Sequence, residues 1–225
     1  MKKVVIFDLD GTLLNTIADL GAACNHALAC CGLPTHAPEE YPRLVGNGIN
    51  RLIERALPEE YATLDEEERT RQVMRVRQEF VPYYNAHNCD LTHPYEGIIG
   101  VLETLKERGV LLAVASNKYH EATVQIVRHF FGNTFDVVLG EREGVPRKPD
   151  PQIVRDILQA VGVQKSGAKE QTLYVGDSLV DIETAQRAGV PVAACSWGFV
   201  SWEELTAASP DFIIDRPQEI IALTE

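Results

Sequence analysis

Four short groups of polar residues carry side chains that could do chemistry together. They combine carboxylates with a hydroxyl, an amide and an amine, and they are Asp8 with Asp10, Ser116 with Asn117, Lys148, and Asp177 with Asp181. Side chains two residues apart on an extended chain point to the same side, so the carboxylates of Asp8 and Asp10 can converge. Adjacent carboxylates repel each other unless a cation lies between them or one of them is protonated. Because carboxylate oxygens are hard ligands that suit Mg²⁺, the first group is a candidate magnesium site.

The other groups suit an anion bound beside that cation. The Ser116 hydroxyl and a neighbouring backbone N–H could donate hydrogen bonds to a phosphate oxygen. Lys148 comes just before a predicted helix start, where its ammonium group would act as a compact cation near an anion. Asp177 follows an apolar run, as Asp8 does, and would suit a second metal-binding carboxylate. Together the residue types indicate a metal site next to a phosphate site.

Each group also has a purely structural interpretation. Asp10-Gly11 is a common turn dipeptide, and Ser116 with its neighbour could equally form a turn or a helix cap. Lys148 alone could be a solvated surface charge, and Ser178 with Asp181 has the spacing of a capping box. The order of the groups favours the chemical interpretation, because unrelated turns are not expected to supply carboxylates, a hydroxyl and a lysine at successive strand and helix ends.

The elements that must position these groups are predicted from apolar runs. Three clear runs and three weaker ones predict strands near residues 4–8, 111–116, 173–177, 136–139, 191–195 and 211–214. Helical spacing of apolar residues predicts helices near 98–108, 121–131, 152–161 and 179–188. The near-continuous hydrophobicity of the runs is typical of strands buried on both faces of a parallel sheet. The alternation predicts an α/β fold with a doubly wound, mainly parallel sheet, whose carboxyl edge is the usual place for a ligand.

Residues 16–86 interrupt this alternation. They contain helical stretches near 17–31, 49–57 and 65–81 and no convincing strand. We therefore predict an α/β catalytic core from residues 1–15 and 87–225, with an all-helical domain of residues 16–86 inserted after the first strand.

Composition narrows the class of protein. Of the 225 residues, 21 are Lys or Arg and 33 are Asp or Glu, and the net charge of −12 does not suit a nucleic-acid binder. No apolar run approaches the roughly 20 residues that a membrane-spanning helix needs. The five cysteines are unevenly spaced and match neither a disulfide framework nor a zinc pattern. We expect an acidic cytoplasmic protein with reduced thiols that binds neither nucleic acid nor membrane.

The four groups, in this order, resemble the motifs of the haloacid dehalogenase superfamily of phosphatases, and the resemblance covers nearly the whole chain. Residues 8–12 are similar to the first motif of the superfamily, Ser116 to the second, Lys148 to the third, and residues 176–181 to the fourth. The helical insertion resembles the small α-helical cap domain of that superfamily. Residues 44–49 and 92–97 are most similar to phosphoglycolate phosphatases.

The resemblance implies roles for the carboxylates. Asp8 would be the nucleophile that forms an aspartyl-phosphate. Asp10 would protonate the leaving oxygen and then deprotonate the attacking water. Mg²⁺ would be held by Asp8, the backbone carbonyl of Asp10, and Asp177, while Asp181 would orient these groups rather than bind the metal.

The resemblance also implies substrate contacts. Ser116, Asn117 and Lys148 would hold the phosphoryl oxygens and offset the charge of the transition state. In the helical insertion, Asn47 and Arg51 are candidate specificity residues. Arg51 could grip a substrate carboxylate or pair with a neighbouring glutamate on the surface.

The predicted function is hydrolysis of a small phosphate monoester by a Mg²⁺-dependent monomer or homodimer, with 2-phosphoglycolate as the leading substrate. Three alternatives stay open: a phosphosugar mutase like β-phosphoglucomutase, a sugar-phosphate or pyrophosphate phosphatase, and a catalytically silent binding protein. A haloalkanoate dehalogenase is disfavoured, because that chemistry does not need Asp10 and Asp177.

Overall fold

The computed structural model describes residues 2–46 and 48–225. Two compact units are formed: one comprises the chain up to Asn15 together with His93–Glu225, and the other comprises Thr16–Thr92. The helical unit therefore ends at residue 92 instead of the predicted 86. The reason is local, because the carboxylate of Asp19 accepts hydrogen bonds from the backbone N–H groups of Leu91 and Thr92 at 2.8–3.1 Å and so ties the segment after the last helix to the first one.

The strands lie in the first unit and form two sheets. In chain order the strands of the described residues are β1 (Val4–Phe7), β2 (Leu14–Asn15), β3 (His93–Pro94), β4 (Leu111–Tyr119), β5 (Val137–Glu141), β6 (Thr172–Gly176), β7 (Val192–Cys195) and β8 (Phe212–Ile214). The main sheet has six parallel strands in the order β5-β4-β1-β6-β7-β8, and β2 and β3 form a separate antiparallel pair. The predicted doubly wound α/β fold is confirmed.

Helices connect the strands and build the second unit. They are α1 (Ile17–Cys30), α2 (Tyr41–Leu44), α3 (Ile49–Ala56), α4 (Glu66–His87), α5 (Ile98–Glu107), α6 (His120–Phe131), α7 (Gln152–Ala160), α8 (Ala168–Gln171), α9 (Leu179–Ala188), α10 (Trp202–Ala207) and α11 (Glu219–Leu223), with short 3₁₀ turns at Pro38–Glu40, Glu59–Thr63 and Lys165–Gly167. Within residues 2–46 and 48–225, none of these helices is both long enough and apolar enough to cross a membrane.

β1 is the centre of the sheet and is completely buried along its length. Its alternate side chains point to opposite faces, and Val4 and Ile6 pack into a core with residues of α7 and α9. Phe7, the last residue of β1, lies opposite Val114 of β4 and Val175 of β6. The residues that follow these three positions therefore meet at one edge of the sheet.

Two elements extend beyond their predicted ends. β4 continues past Ser116 to Tyr119, with an irregular register after Ala115. α4 continues past 81 to His87 although Pro82 lies inside it. An interior proline costs a helix about 3 kcal/mol; Phe80 and Tyr84 offset this cost, because both rings are buried and stack with centroids 5.3 Å apart.

Candidate active site

The carboxyl ends of β1, β4 and β6 bring the four predicted groups together in the first unit. Asp8 follows β1, Ser116 lies near the end of β4, and Asp177 follows β6. Lys148 precedes α7 and reaches the same place, since its Nζ lies 2.9 Å from Asp8 Oδ1. All four of these residues are buried, so the charges of the two carboxylates and the lysine are costly unless they are paired.

Asp8 is held through one of its two carboxylate oxygens. Its Oδ1 accepts a hydrogen bond from the Leu9 N–H at 2.7 Å and contacts the Lys148 ammonium. Among the described residues no group donates to Oδ2. Burial raises the pKa of Asp8 well above its ordinary value, the carboxylate of Asp181 raises it further, and Lys148 lowers it. The Oδ2 oxygen is therefore available to bind a cation.

Asp177 lies in a cradle formed by two glycines. A Cβ atom on Gly11, whose φ is +85°, would lie 2.2 Å from Asp177 Oδ2, and one on Gly198 would lie 2.2 Å from Asp177 Cβ. The carboxylate accepts hydrogen bonds from Thr12 Oγ1 at 3.0 Å and from the Phe199 N–H at 2.9 Å. Because the side chain is buried near Asp181, its pKa is raised to about 7. Two of its four acceptor positions stay available for a metal.

Asp181 has little capacity left for a metal. Its Oδ1 accepts from Lys148 Nζ at 2.8 Å and from the Tyr174 hydroxyl at 3.0 Å. Its Oδ2 accepts from the backbone N–H and the hydroxyl of Ser178, which completes the predicted capping box at the start of α9. All four acceptor positions are thus in use. This arrangement is that of a residue that orients its neighbours.

Lys148 is fixed at both its backbone and its side chain. The Asn117 amide donates to the Lys148 carbonyl at 3.0 Å and accepts from the Lys148 N–H at 2.9 Å. The Lys148 ammonium also donates to the carbonyl of Ala115 at 2.9 Å. Burial lowers the pKa of Lys148, but Asp181 and Asp8 together raise it well above its ordinary value, so the lysine is a cation. The Asn117 side chain therefore positions Lys148.

The site can hold a divalent metal ion. Oxygens of Asp8, Asp177 and Asp181 lie within 4.8 Å of one another, and the described part of the chain contains no other group of three such ligands. With the nearby Asp10, four carboxylates face only two lysines, Lys148 and Lys118, so the ionised site carries two negative charges in excess. A divalent cation would balance that excess, and the glycine cradle and the unpartnered Asp8 oxygen fit one.

Comparison with known proteins agrees with this geometry. The sequence model of the haloacid dehalogenase-like hydrolases matches residues 5–195. The chain belongs to this family. The phosphoglycolate phosphatase of Aquifex aeolicus is 31% identical over 99% of this chain and 97% of its own length. That of Pasteurella multocida is 34% identical over 99% of this chain and 98% of its own length.

A solved structure shares the whole fold of this haloacid dehalogenase-like hydrolase. It is that of a Lactobacillus delbrueckii subsp. bulgaricus protein with a provisional phosphoglycolate phosphatase assignment, and it has a TM-score of 0.89 and 33% identity, covering 100% of this chain and 99% of the other. The sequence-based predictions of the family and of a phosphoric monoester hydrolase are confirmed.

Two residues of the hydrolase site were missed by sequence reasoning. Lys118 donates to Asp10 Oδ1 at 2.7 Å, and Tyr174 bridges Asp181 and Lys148. Lys118 lies beyond the predicted end of its strand at Ser116, so a longer predicted strand would have drawn attention to it. A tyrosine inside a fully buried strand also signals a partner for its hydroxyl.

The two candidate specificity residues lie in the helical unit. Arg51 pairs with Glu54 one turn along α3, and its side chain is 58% exposed. This contact corresponds to the surface pair that the sequence left open. Asn47 lies outside the described residues.

Proposed function

We propose that this hydrolase uses Mg²⁺ to convert 2-phosphoglycolate to glycolate and phosphate through an aspartyl-phosphate on Asp8. The observation that carries the proposal is the Asp8 carboxylate, which has one oxygen bound by Lys148 and the other without a partner among the described residues. The relatives that align over nearly the entire chain support the substrate, because they are named phosphoglycolate phosphatases.

In the proposed first step, an Asp8 oxygen attacks phosphorus and the bond from phosphorus to the substrate oxygen breaks. Asp10 gives its proton to the departing oxygen, so glycolate leaves as an alcohol. In the second step water attacks the aspartyl-phosphate, Asp10 accepts a proton from that water, and phosphate is released with Asp8 restored. Asp10 ends the cycle as it began, protonated.

Charge on the transferred phosphoryl group is offset by fixed donors. Lys148 supplies a full positive charge whose position is set by Asn117, Asp181 and Asp8. The Ser116 hydroxyl and the backbone N–H of Asn117 are assigned the remaining contacts to the phosphoryl oxygens. Asp8, the backbone carbonyl of Asp10, and Asp177 would hold Mg²⁺, which supplies positive charge for the phosphoryl oxygens when bound.

The proposal includes the domain roles. Residues 93–225 and the first 15 residues act as the catalytic core, and the helical unit acts as the cap domain, in which Asn47 and Arg51 are the candidate specificity residues. We place the enzyme in the cytoplasm as a monomer or homodimer. Its partner is a small phosphorylated metabolite.

The test is phosphate release from 2-phosphoglycolate, sugar phosphates and pyrophosphate, with Mg²⁺ or EDTA. We expect a clear preference for 2-phosphoglycolate that EDTA and Asp8→Asn both abolish. Asp156→Asn is the matched control, because Asp156 pairs with Arg142 at 2.5 Å outside the site. Equal turnover of many sugar phosphates would contradict the substrate. Conversion of β-glucose 1-phosphate to the 6-phosphate without phosphate release would instead identify a mutase.

A further inference from the structure

Lys118 makes a contact in the site that the proposed steps do not use. It lies in the part of β4 beyond Ser116, and its ammonium group is 2.7 Å from Asp10 Oδ1. The Lys118 side chain is 4% exposed, whereas that of Asp10 is 23% exposed. The Lys118 backbone N–H donates to Ser116 Oγ at 3.2 Å, which fixes the start of the side chain beside the candidate phosphate contact.

The orientation of Asp10 depends on this lysine. Among the described residues, Lys118 donates the only hydrogen bond that reaches the Asp10 carboxylate. The backbone of Asp10 is held by a bridge to Leu14, but that bridge leaves the side-chain torsions free. Exposed ion pairs are weak because two mobile side chains must be ordered. Here one partner is already ordered by burial, so its charge fixes the more mobile carboxylate.

We propose that Lys118 is a positioning residue, which holds the Asp10 carboxylate in the orientation from which Asp10 transfers its proton to the leaving oxygen. This inference rests on the proposed function, because it assigns Lys118 a part in the first step of that reaction. A general acid must lie within hydrogen-bond distance of the atom it protonates, so a misdirected Asp10 loses its contribution even though it is present.

Another role for Lys118 makes a different prediction. If the ammonium group bound the substrate carboxylate, its loss would raise KM for 2-phosphoglycolate and leave esters without a carboxylate unaffected. If Lys118 acts through Asp10, the activity lost on removing Lys118 depends on how much the leaving group needs a proton. Alkyl phosphates need the general acid, whereas p-nitrophenyl phosphate releases a stable phenolate without it.

The first experiment measures kcat/KM for ethyl phosphate, phenyl phosphate and p-nitrophenyl phosphate, since kcat/KM reports the step that forms the aspartyl-phosphate. We expect Lys118→Met to lower kcat/KM for ethyl phosphate about 10- to 100-fold and for p-nitrophenyl phosphate less than about threefold. Lys106→Met is the matched control. It removes a lysine whose ion pair with Asp136, at 3.1 Å, lies on the surface, and all three constants should stay at the wild-type values.

The second experiment tests whether Lys118→Met lowers activity through Asp10. In an Asp10→Asn background, Lys118→Met should cause almost no additional loss with ethyl phosphate, because the group it positions is gone. Lys118→Arg, which keeps the charge, should retain more activity on ethyl phosphate than Lys118→Met. If Lys118→Met does not fold, Lys118→Arg can be tested in its place. Equal losses across the three esters, or losses that multiply with Asp10→Asn, would overturn the inference. Absence of metal-dependent phosphate release in the wild type would instead reject the proposed function.

Discussion

Gly11 links the turn after β1 to the carboxylate of Asp177, the proposed metal ligand. Its φ of +85° lies in the region that favours glycine, and a Cβ atom there would be 2.2 Å from Asp177 Oδ2. Gly11→Ala therefore has two consequences. The backbone is strained, and the carboxylate of Asp177 has to move away from the position in which Thr12 and Phe199 hold it.

The two consequences can be separated by a second glycine. Gly144 has a φ of +73°, and nothing lies within 4 Å of the position that its Cβ would occupy. Gly144→Ala therefore carries the backbone strain alone, which is about 1–2 kcal/mol for a residue other than glycine. In a chain of this length that strain lowers Tm by about 2–8 °C. The additional loss in Gly11→Ala measures the contact with Asp177.

The effect on metal binding is the decisive one. We expect Gly11→Ala to weaken Mg²⁺ binding by about 10- to 100-fold, the usual result of displacing a group that orients a ligand, and Gly144→Ala to bind as the wild type does. Isothermal titration of Mg²⁺ without substrate measures the affinity, and thermal unfolding in EDTA measures the strain. Wild-type affinity in Gly11→Ala would refute the assignment of Asp177 as a ligand fixed by this cradle.

Three further predictions follow from the same contacts. Tyr174→Phe removes a buried hydroxyl that bonds Asp181 and Lys148, so the free energy of unfolding in urea should fall by about 1–3 kcal/mol; an unchanged value would show that the hydroxyl contributes nothing. Asn117→Ala leaves two backbone groups of Lys148 without partners, and kcat for phosphate release should fall at least about tenfold; an unchanged kcat would mean that Lys148 needs no such support. Because burial raises the pKa of Asp177 from 3.8 to about 7, the folded state holds a proton in that window that the unfolded state has lost. The Tm of EDTA-treated protein should therefore fall as the pH rises from 5 to 7, and Mg²⁺ should raise Tm more at pH 7 than at pH 5. A Tm in EDTA that rises over this interval would contradict the assignment.

Strand ends could be predicted from the sequence because a strand buried on both faces is a continuous apolar run that ends at a polar residue. β1 is apolar throughout, β6 is buried throughout, and a carboxylate follows each of them at once. The parallel register then requires these carboxylates to lie at the same edge. For this reason Asp8 and Asp177 could be identified as a pair although they are far apart in the chain.

The partners of the polar groups could not be predicted in the same way. Asn117 is predicted to contact phosphate from its place beside Ser116, but in the structure its amide bonds the Lys148 backbone 31 residues further on, which no local pattern records. Lys118 was missed because the apolar run ends at Ser116 while the strand does not. In both cases the sequence shows which chemical group the side chain carries, and tertiary packing determines which partner that group contacts.

The charge of the site determines how substrate and metal bind together. A net charge of −12 over the chain would repel an anionic substrate, but charges more than about 8 Å from the site are largely screened at physiological ionic strength. The substrate therefore meets chiefly the local set. With Asp10 carrying the proton that it transfers, the ionised carboxylates of Asp8, Asp177 and Asp181 outnumber Lys118 and Lys148 by one. An anionic phosphate ester should bind weakly to that set until a divalent cation balances it. Because such coupling is reciprocal, the substrate should tighten metal binding by the same factor by which the metal tightens substrate binding. The acidic site thus makes its two ligands depend on each other.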